Sequence, residues 1–340
     1  DKFKIPISDD EIEDAPYYKP DEQSEEMLYV KERTRALGGF IPKRRTKSDS
    51  IEVPRISLFE SILEGSGERS LSTTMIFVRI LNILVKHEKI GKRIVPIVPD
   101  EARTFGMEGM FRQLGIYSAD GQLYEPVDHD ELMYYREDKK GQILEEGITE
   151  AGAMCSWIAA ATSYSCHNKS MIPFYIFYSM FGFQRIGDLA WAAGDMQARG
   201  FLLGGTAGRT TLAGEGLQHQ DGHSHLLAST IPNCVSYDPT FGYELAVIIQ
   251  NGMERMFQNQ ENIFYYITVM NENYNHPKMP EGIEKEILAG MYLFQEAEEA
   301  SIQLMGSGTI LREVIDAAKT LDEDYGIVAN VWSVTSFNEL

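Results

Sequence analysis

A chain of 340 residues is long enough for two domains, or for one large domain with additional segments. Its composition, 43% hydrophobic and 24% charged, is that of a protein with a sizeable buried core. The formal net charge of -20 argues against a nucleic-acid-binding protein, because such proteins need a basic surface that replaces counterions.

Apolar runs in the sequence are too short for a membrane span. The longest, such as Ile94–Val98 and Met171–Tyr178, fall far below the roughly 20 residues that a spanning helix needs. The N-terminal residues 1–14 are charged and contain no apolar secretory segment. The three cysteines have neither metal-ligand spacing nor an even count, which favours a reducing cytoplasm.

The N-terminal segment, residues 1–55, is rich in charged residues and proline. Few of its residues could contribute to a core. We therefore predict a charged linker or wrapping segment with one helix around Glu25–Leu37.

From Ser70 onward, helix and strand patterns alternate. The first are a helix within Leu71–Val85, behind Ser and Thr residues suited to an N-cap, and a buried strand at Ile94–Val98. Further elements are predicted at Glu150–Ser163 (helix), Met171–Tyr178 (strand), Ile186–Met196 (helix), Gly200–Gly204 (strand), Asn233–Tyr237 (strand), Phe241–Phe257 (helix) and Asn262–Val269 (strand). This alternation predicts an α/β fold with a parallel sheet covered by helices on both faces.

The C-terminal part begins after a turn-rich segment, Asn271–Gly282, which is typical of an interdomain linker. A strand from Ile302, a helix over Ile310–Leu321 and a strand at Val328–Val334 then predict one β-α-β unit. This unit is too small to be a complete domain.

Ligands of parallel α/β sheets bind beyond the carboxyl ends of the strands. Asp100 and Glu101 follow the first predicted strand, Tyr178–Phe181 and Arg185 follow the second, and the loop Gly204–His225 follows the third. The segment Gly147–Glu150 is added because it begins a helix. These residues are the candidates for a functional site.

The loop that follows the third strand is rich in histidine. It contains His219, Asp221, His223 and His225 within seven residues. Imidazole and carboxylate groups suit zinc or iron, so a metal site is one hypothesis, and a solvated polar loop is another. We favour a third, proton transfer or substrate binding by one or two of the histidines, because histidine changes charge near neutral pH.

A nucleotide-binding loop is not indicated. The glycine-rich run Gly204–Arg209 lacks the Gly-Lys-Ser/Thr ending of a phosphate-binding loop. No G-x-G-x-x-G turn follows any predicted strand.

Glu150 lies in the first turn of a predicted helix. Taken alone, a glutamate there usually complements the helix dipole. However, the segment Gly147-Ile-Thr-Glu-Ala-Gly152 resembles the helix-opening motif of the pyrimidine-binding domain in the transketolase superfamily. In that superfamily the glutamate contacts the aminopyrimidine ring of thiamine diphosphate.

Three more segments carry a closer resemblance. They are Asp100–Gly115, Tyr178–Asp188 and Gly214–His225, and their residues resemble those of the homodimeric bacterial pyruvate dehydrogenases, the decarboxylating components of a multienzyme complex. The similarity runs nearly end to end. A chance match of four motifs in the same order is improbable.

The resemblance implies a domain organisation. Residues 1–55 would follow an N-terminal domain absent here, residues 56–275 would be the middle domain that binds the thiamine pyrimidine, and residues 276–340 would begin a transketolase-like C-terminal domain. In the superfamily a Gly-Asp-Gly motif and a later asparagine of the N-terminal domain bind magnesium and the diphosphate. These 340 residues contain no Gly-Asp-Gly, so the isolated chain is expected to be inactive.

The resemblance also implies the residues that contact the cofactor. Glu150 would hydrogen-bond the pyrimidine nitrogen and promote the imino tautomer that activates the thiazolium carbon. Tyr178 and Phe181 would flank the pyrimidine, since flat rings pack well against aromatic faces. Arg185 would orient these groups or meet a carboxylate.

Four further residues would face the substrate. His219 would meet the reacting centre, and Asp221 and His225 would exchange protons or bind the intermediate with it. Glu101 would border the same cleft.

The family implies the partners as well. Pyruvate would lose carbon dioxide, and the acetyl unit would pass to the lipoyl group of a dihydrolipoamide acetyltransferase component. The cofactor would lie at the subunit interface of a homodimer in the bacterial cytoplasm. The alternatives are another member of the superfamily, such as a transketolase or a different 2-oxo-acid dehydrogenase, or a non-catalytic fragment.

Overall fold

The computed structural model describes residues 5–40, 44–99, 102–127, 135–208, 216 and 219–340. The chain divides into two compact units, residues 1–44 and 45–340. In the first unit, helix α1 (Glu25–Ala36) begins at Ser24, whose side chain accepts a hydrogen bond from the backbone of Met27. No residue of α1 is buried, as expected for a helix in a segment without a core.

Eleven strands are described in the second unit. In chain order they are β1 (Ile94–Val98), β2 (Ile116–Tyr117), β3 (Glu137–Asp138), β4 (Leu144–Glu145), β5 (Ile172–Tyr178), β6 (Phe201–Gly205), β7 (Cys234–Tyr237), β8 (Phe264–Thr268), β9 (Met291–Gln295), β10 (Ile302–Gly306) and β11 (Ala329–Val334). Six of them form one sheet in the order β4-β1-β5-β6-β8-β7, with every pair parallel. The predicted parallel sheet is therefore confirmed.

The structure describes ten α-helices in the second unit, and they complete the alternation. They are α2 (Glu60–Leu63), α3 (Thr73–Val85), α4 (Glu108–Leu114), α5 (Glu150–Ala161), α6 (Ser163–His167), α7 (Gly182–Asp195), α8 (Ser224–Ala228), α9 (Gly242–Met253), α10 (Glu284–Leu288) and α11 (Gly308–Tyr325). Helix α9 continues as a π-helical turn, Glu254–Gln258, so the helix predicted over Phe241–Phe257 is continuous but not uniformly α-helical. Within the described ranges, no helix combines the length and apolar character needed to cross a membrane.

The central sheet is covered on both faces. Phe201 and Leu203 of β6 point into a core shared with α3 and α9. Leu202, on the opposite face, packs in a second core with Trp157 of α5 and with α7. Because successive side chains of a strand point to opposite faces, two cores require a strand that is apolar on both sides.

The C-terminal strands form a separate sheet in the order β10-β11-β9. Strands β10 and β11 are parallel and α11 connects them, so the predicted β-α-β unit is confirmed. Strand β9 pairs antiparallel with β11 and was not predicted. Its pairing partner comes much later in the chain, so local sequence patterns carry no sign of the pairing.

A buried carboxylate connects α9 to the C-terminal sheet. Glu244 of α9 is fully buried, and one of its oxygens accepts hydrogen bonds from the backbone nitrogens of Thr240 (2.6 Å) and Phe241 (2.8 Å). The other oxygen accepts from the hydroxyls of Tyr292 on β9 (2.6 Å) and Ser333 on β11 (2.6 Å). Four hydrogen-bond donors therefore converge on the Glu244 carboxylate where α9 meets the C-terminal sheet.

His276 anchors the segment that was predicted to be an interdomain linker. It is buried, its Nδ1 accepts a hydrogen bond from the backbone of Gly242 at 3.0 Å, and its Nε2 lies 2.9 Å from the carbonyl oxygen of Leu71. This geometry requires the neutral ring, with the proton on Nε2. Burial lowers the pKa of His276 accordingly.

We expect this chain to lose stability as the pH falls below about 6.5, the usual pKa of histidine. The unfolded state then binds a proton that the buried ring of His276 does not, so the free energy of unfolding falls by up to about 1.4 kcal/mol per pH unit. Denaturant unfolding at pH 7.5 and 5.5 measures this loss. His276→Asn should reduce the pH dependence, while His167→Asn, which alters an exposed histidine, should not. Equal pH dependence in both variants would contradict the assignment.

Candidate active site

Glu150 is the first residue of α5, and the local sequence explains why the helix begins there. Gly147 adopts a φ of +74°, which favours glycine, and the Thr149 hydroxyl accepts a hydrogen bond from the backbone of Gly152 at 3.3 Å. The Glu150 carboxylate accepts a hydrogen bond from the guanidinium of Arg185 on α7. The Glu150 side chain is 14% exposed, so this carboxylate is largely shielded from solvent.

Aromatic rings extend from this ion pair. The Arg185 guanidinium carbon lies 4.3 Å from the ring centroid of Phe181, the residue that precedes α7. Phe181 and Tyr178, the last residue of β5, meet edge to face with centroids 5.9 Å apart. The centroid of the buried Phe105 ring lies 5.3 Å from that of Tyr178. Phe105 was not predicted as a site residue, although it belongs to one of the motifs that carry the resemblance.

His219 completes this cluster. Its ring centroid is 5.1 Å from that of Tyr178 and 5.5 Å from that of Phe181. The structure thus brings five predicted residues, Glu150, Arg185, Phe181, Tyr178 and His219, into one continuous group. The predicted residue Glu101 lies outside the described residues, as does most of the loop between Gly208 and His219.

Asp221 is buried and held by its own loop. It accepts hydrogen bonds from the backbone nitrogens of His223 and Ser224, each at 3.1 Å, and from the Ser224 hydroxyl. Burial acts to raise the pKa of Asp221, but these hydrogen bonds outweigh it and the pKa is lowered. The carboxylate therefore carries its charge at neutral pH and shapes the turn that precedes α8.

His225 lies on α8 and lines a cavity of about 600 Å³. Its Nε2 is 2.9 Å from the hydroxyl of Thr268, the last residue of β8, and its ring lies 5.2 Å from that of Tyr266. Asp221 and Asp238 also line the cavity, which extends to the turns that follow β10 and β11.

The two groups of residues adjoin each other. A hydrogen bond of 2.9 Å between Gln184 on α7 and His223 connects this aromatic cluster to residues 219–225, which we call the histidine loop. Both groups lie at the carboxyl ends of the parallel strands, where ligands bind in such sheets. Among the residues that the structure describes, no three His, Cys, Asp or Glu side chains converge as metal ligands would.

Comparison with known families identifies two matching regions. Residues 51–277 match the model of the pyruvate dehydrogenase E1 component middle domain. Residues 290–340 match the transketolase-like C-terminal domain.

Two curated relatives show the extent of the similarity. The chain is 68% identical over 343 residues to the pyruvate dehydrogenase E1 component of Pseudomonas aeruginosa, covering 100% of this chain and 39% of that protein. It is 57% identical over 344 residues to the protein of the same name from Escherichia coli K12, with 100% and 39% covered. The chain thus spans about two fifths of the length of the curated relatives it matches.

A solved structure shows the same fold at low identity. Transketolase from Campylobacter jejuni matches with a TM-score of 0.62 and 19% identity, covering 83% of this chain and 38% of that one. At this identity the likeness concerns the fold alone.

Proposed function

The chain belongs to the pyruvate dehydrogenase E1 family, and on that basis we propose that it supplies the pyrimidine-binding half of a thiamine diphosphate site for the oxidative decarboxylation of pyruvate. The observation that supports this most strongly is the Glu150–Arg185 pair beside the rings of Phe181 and Tyr178. In the complete enzyme, the acetyl unit would pass to the lipoyl group of the acetyltransferase component. That enzyme would be a homodimer in the bacterial cytoplasm.

The residues present suit one part of the cofactor. A flat aminopyrimidine needs aromatic faces and a carboxylate near its ring nitrogen, and the cluster around Glu150 offers both. The diphosphate and magnesium would be bound by the N-terminal domain of a partner subunit. On this proposal residues 56–275 form the pyrimidine-binding domain, and residues 276–340 begin the C-terminal domain.

Each residue of the cluster would have a separate task. When bound, thiamine diphosphate supplies the carbon nucleophile that attacks pyruvate and accepts the electrons released with carbon dioxide. Glu150 would hydrogen-bond the pyrimidine nitrogen, and Arg185 would hold that carboxylate in place. Tyr178 and Phe181 would pack against the ring.

The histidine loop would serve the substrate. His219 lies beside the rings of Tyr178 and Phe181 and would face the reacting centre. His225 lines the adjoining cavity and would transfer a proton there. Asp221 would support the loop, and Glu101 would border the cleft.

A substrate panel tests the proposed function. The complete enzyme, with magnesium and thiamine diphosphate, is assayed by reduction of an acceptor dye with pyruvate, longer 2-oxo acids and sugar phosphates. We expect the highest kcat/KM with pyruvate. Activity with sugar phosphates and none with pyruvate would contradict the proposal and favour a transketolase.

A further inference from the structure

Two side chains connect His225 to the C-terminal sheet. The Nε2 atom of His225 is 2.9 Å from the Thr268 hydroxyl oxygen. The same oxygen is 2.5 Å from Oδ1 of Asp238, the residue that follows β7. We call His225, Thr268 and Asp238 the histidine relay. All three line the cavity described above.

The number of available protons sets the direction of each hydrogen bond in the relay. An ionised carboxylate only accepts, so the hydroxyl of Thr268 donates its single proton to Asp238. The other acceptor near that hydroxyl, the carbonyl oxygen of Tyr237, is farther away at 3.4 Å. Thr268 can then only accept from His225. The proton of a neutral His225 must therefore be on Nε2, which leaves Nδ1 as the basic nitrogen.

The turn between β10 and α11 holds Asp238 in place. The Ser307 hydroxyl donates to Oδ2 of Asp238 at 2.9 Å, and the backbone nitrogen of Gly308 donates to its carbonyl oxygen at 3.1 Å. A Cβ atom on Gly308 would lie 2.5 Å from both carboxylate oxygens, and the φ of this residue is +50°. Only glycine fits there, so the C-terminal segment is shaped to approach this carboxylate closely.

We propose that Thr268 and Asp238 are positioning residues that fix the tautomer of His225, and that the C-terminal segment contributes to the active site through them. The relay would keep Nδ1 of His225 free of its proton and ready to accept one from a group in the cavity. The catalytic part of this inference rests on the proposed function, in which His225 transfers a proton. The tautomer itself does not depend on that function.

Nitrogen NMR of the chain labelled with ¹⁵N-histidine tests the tautomer without cofactor or substrate. His225→Gln identifies the signals of His225 by their loss. Above the pH at which the ring is protonated, we expect the proton on Nε2 in the unmodified chain and in Thr268→Ser, which keeps the hydroxyl. Thr268→Val, of nearly the same shape, should show a mixture of tautomers, and so should Asp238→Asn. Asp188→Asn is the control, because it removes the same charge as Asp238→Asn at an exposed position of α7 and should leave the tautomer of His225 unchanged.

An unchanged His225 tautomer in both Thr268→Val and Asp238→Asn would overturn the inference. A His225 tautomer in Thr268→Ser that differs from that of the unmodified chain would overturn the inference as well. Because Thr268→Val could disturb the packing at the end of β8, a melting temperature is measured for each variant, and Asp238→Asn provides the second route to the same result.

Activity of the complete enzyme tests the consequence. Thr268→Val should lower kcat about 10- to 100-fold, with KM for pyruvate little changed, while Thr268→Ser keeps most of the activity. If the tautomer changes but pyruvate turnover does not, the relay stands as a structural feature and its catalytic part is wrong. If pyruvate is not a substrate at all, the NMR result still decides the tautomer.

Discussion

Glu150→Gln in the complete enzyme is expected to lower kcat for pyruvate by at least about 100-fold. A glutamine has nearly the same shape, but its amide cannot share a proton with the pyrimidine nitrogen as a carboxyl group can. It also loses the charge that meets Arg185 at the start of α5. Steady-state kinetics with saturating thiamine diphosphate measure the effect.

A matched change separates catalysis from helix stability. Glu323→Gln removes the same charge at an exposed position near the end of α11 and should leave kcat within about twofold, because surface changes away from the reacting groups have small effects. If Glu150 only complements the helix dipole, its replacement lowers the free energy of unfolding by about 0.3–1 kcal/mol and leaves kcat unchanged. Full activity of Glu150→Gln would therefore remove Glu150 from the proposed mechanism.

Glu244→Gln is expected to lower the free energy of unfolding of this chain by about 2–4 kcal/mol. The carboxylate accepts four hydrogen bonds in a fully buried place, and an amide nitrogen in one oxygen position would face two donors with no acceptor. Burial raises the pKa of Glu244, and the four donors oppose that rise. Denaturant unfolding, monitored by tryptophan fluorescence, gives the change.

Two further variants show whether the buried hydrogen bonds of Glu244 account for this loss of stability. Glu286→Gln makes the same change at an exposed position of α10 and should alter stability by no more than about 0.5 kcal/mol. Tyr292→Phe removes one of the four donors and should have an intermediate effect of about 1 kcal/mol. Equal stability of Glu244→Gln and Glu286→Gln would show that the buried network does not stabilise the packing of α9 against the C-terminal sheet.

The elements were predictable because their signals are local. The strand predicted at Met171–Tyr178 is observed as Ile172–Tyr178, and the helix predicted from Glu150 begins at that residue. A continuous apolar run and a threonine cap are sufficient for such assignments, since each depends on neighbours within a few residues. The short strands β2, β3 and β4 were missed because two residues carry no periodicity.

The contacts within the candidate site were harder to predict from the sequence. The motifs indicated Glu150 and Arg185 separately, and Arg185 was expected to orient the site or to meet a carboxylate. Their pairing joins residues of different helices, α5 and α7. Asp238 and Thr268 belong to no motif that was singled out, and each looks like an ordinary residue at a strand end. Their importance follows only from the two contacts that connect them to His225 and to Ser307.

Sequence alone thus determined the α/β class, the parallel sheet and the residue types at its carboxyl edge. Periodic burial dictates those features, and it is a property of each short segment by itself. Only the tertiary structure decided the strand order β4-β1-β5-β6-β8-β7 and the closeness of the C-terminal turn to the histidine relay. Strand order and such contacts depend on which apolar faces bury each other best, a free-energy balance over the whole chain that no local pattern records.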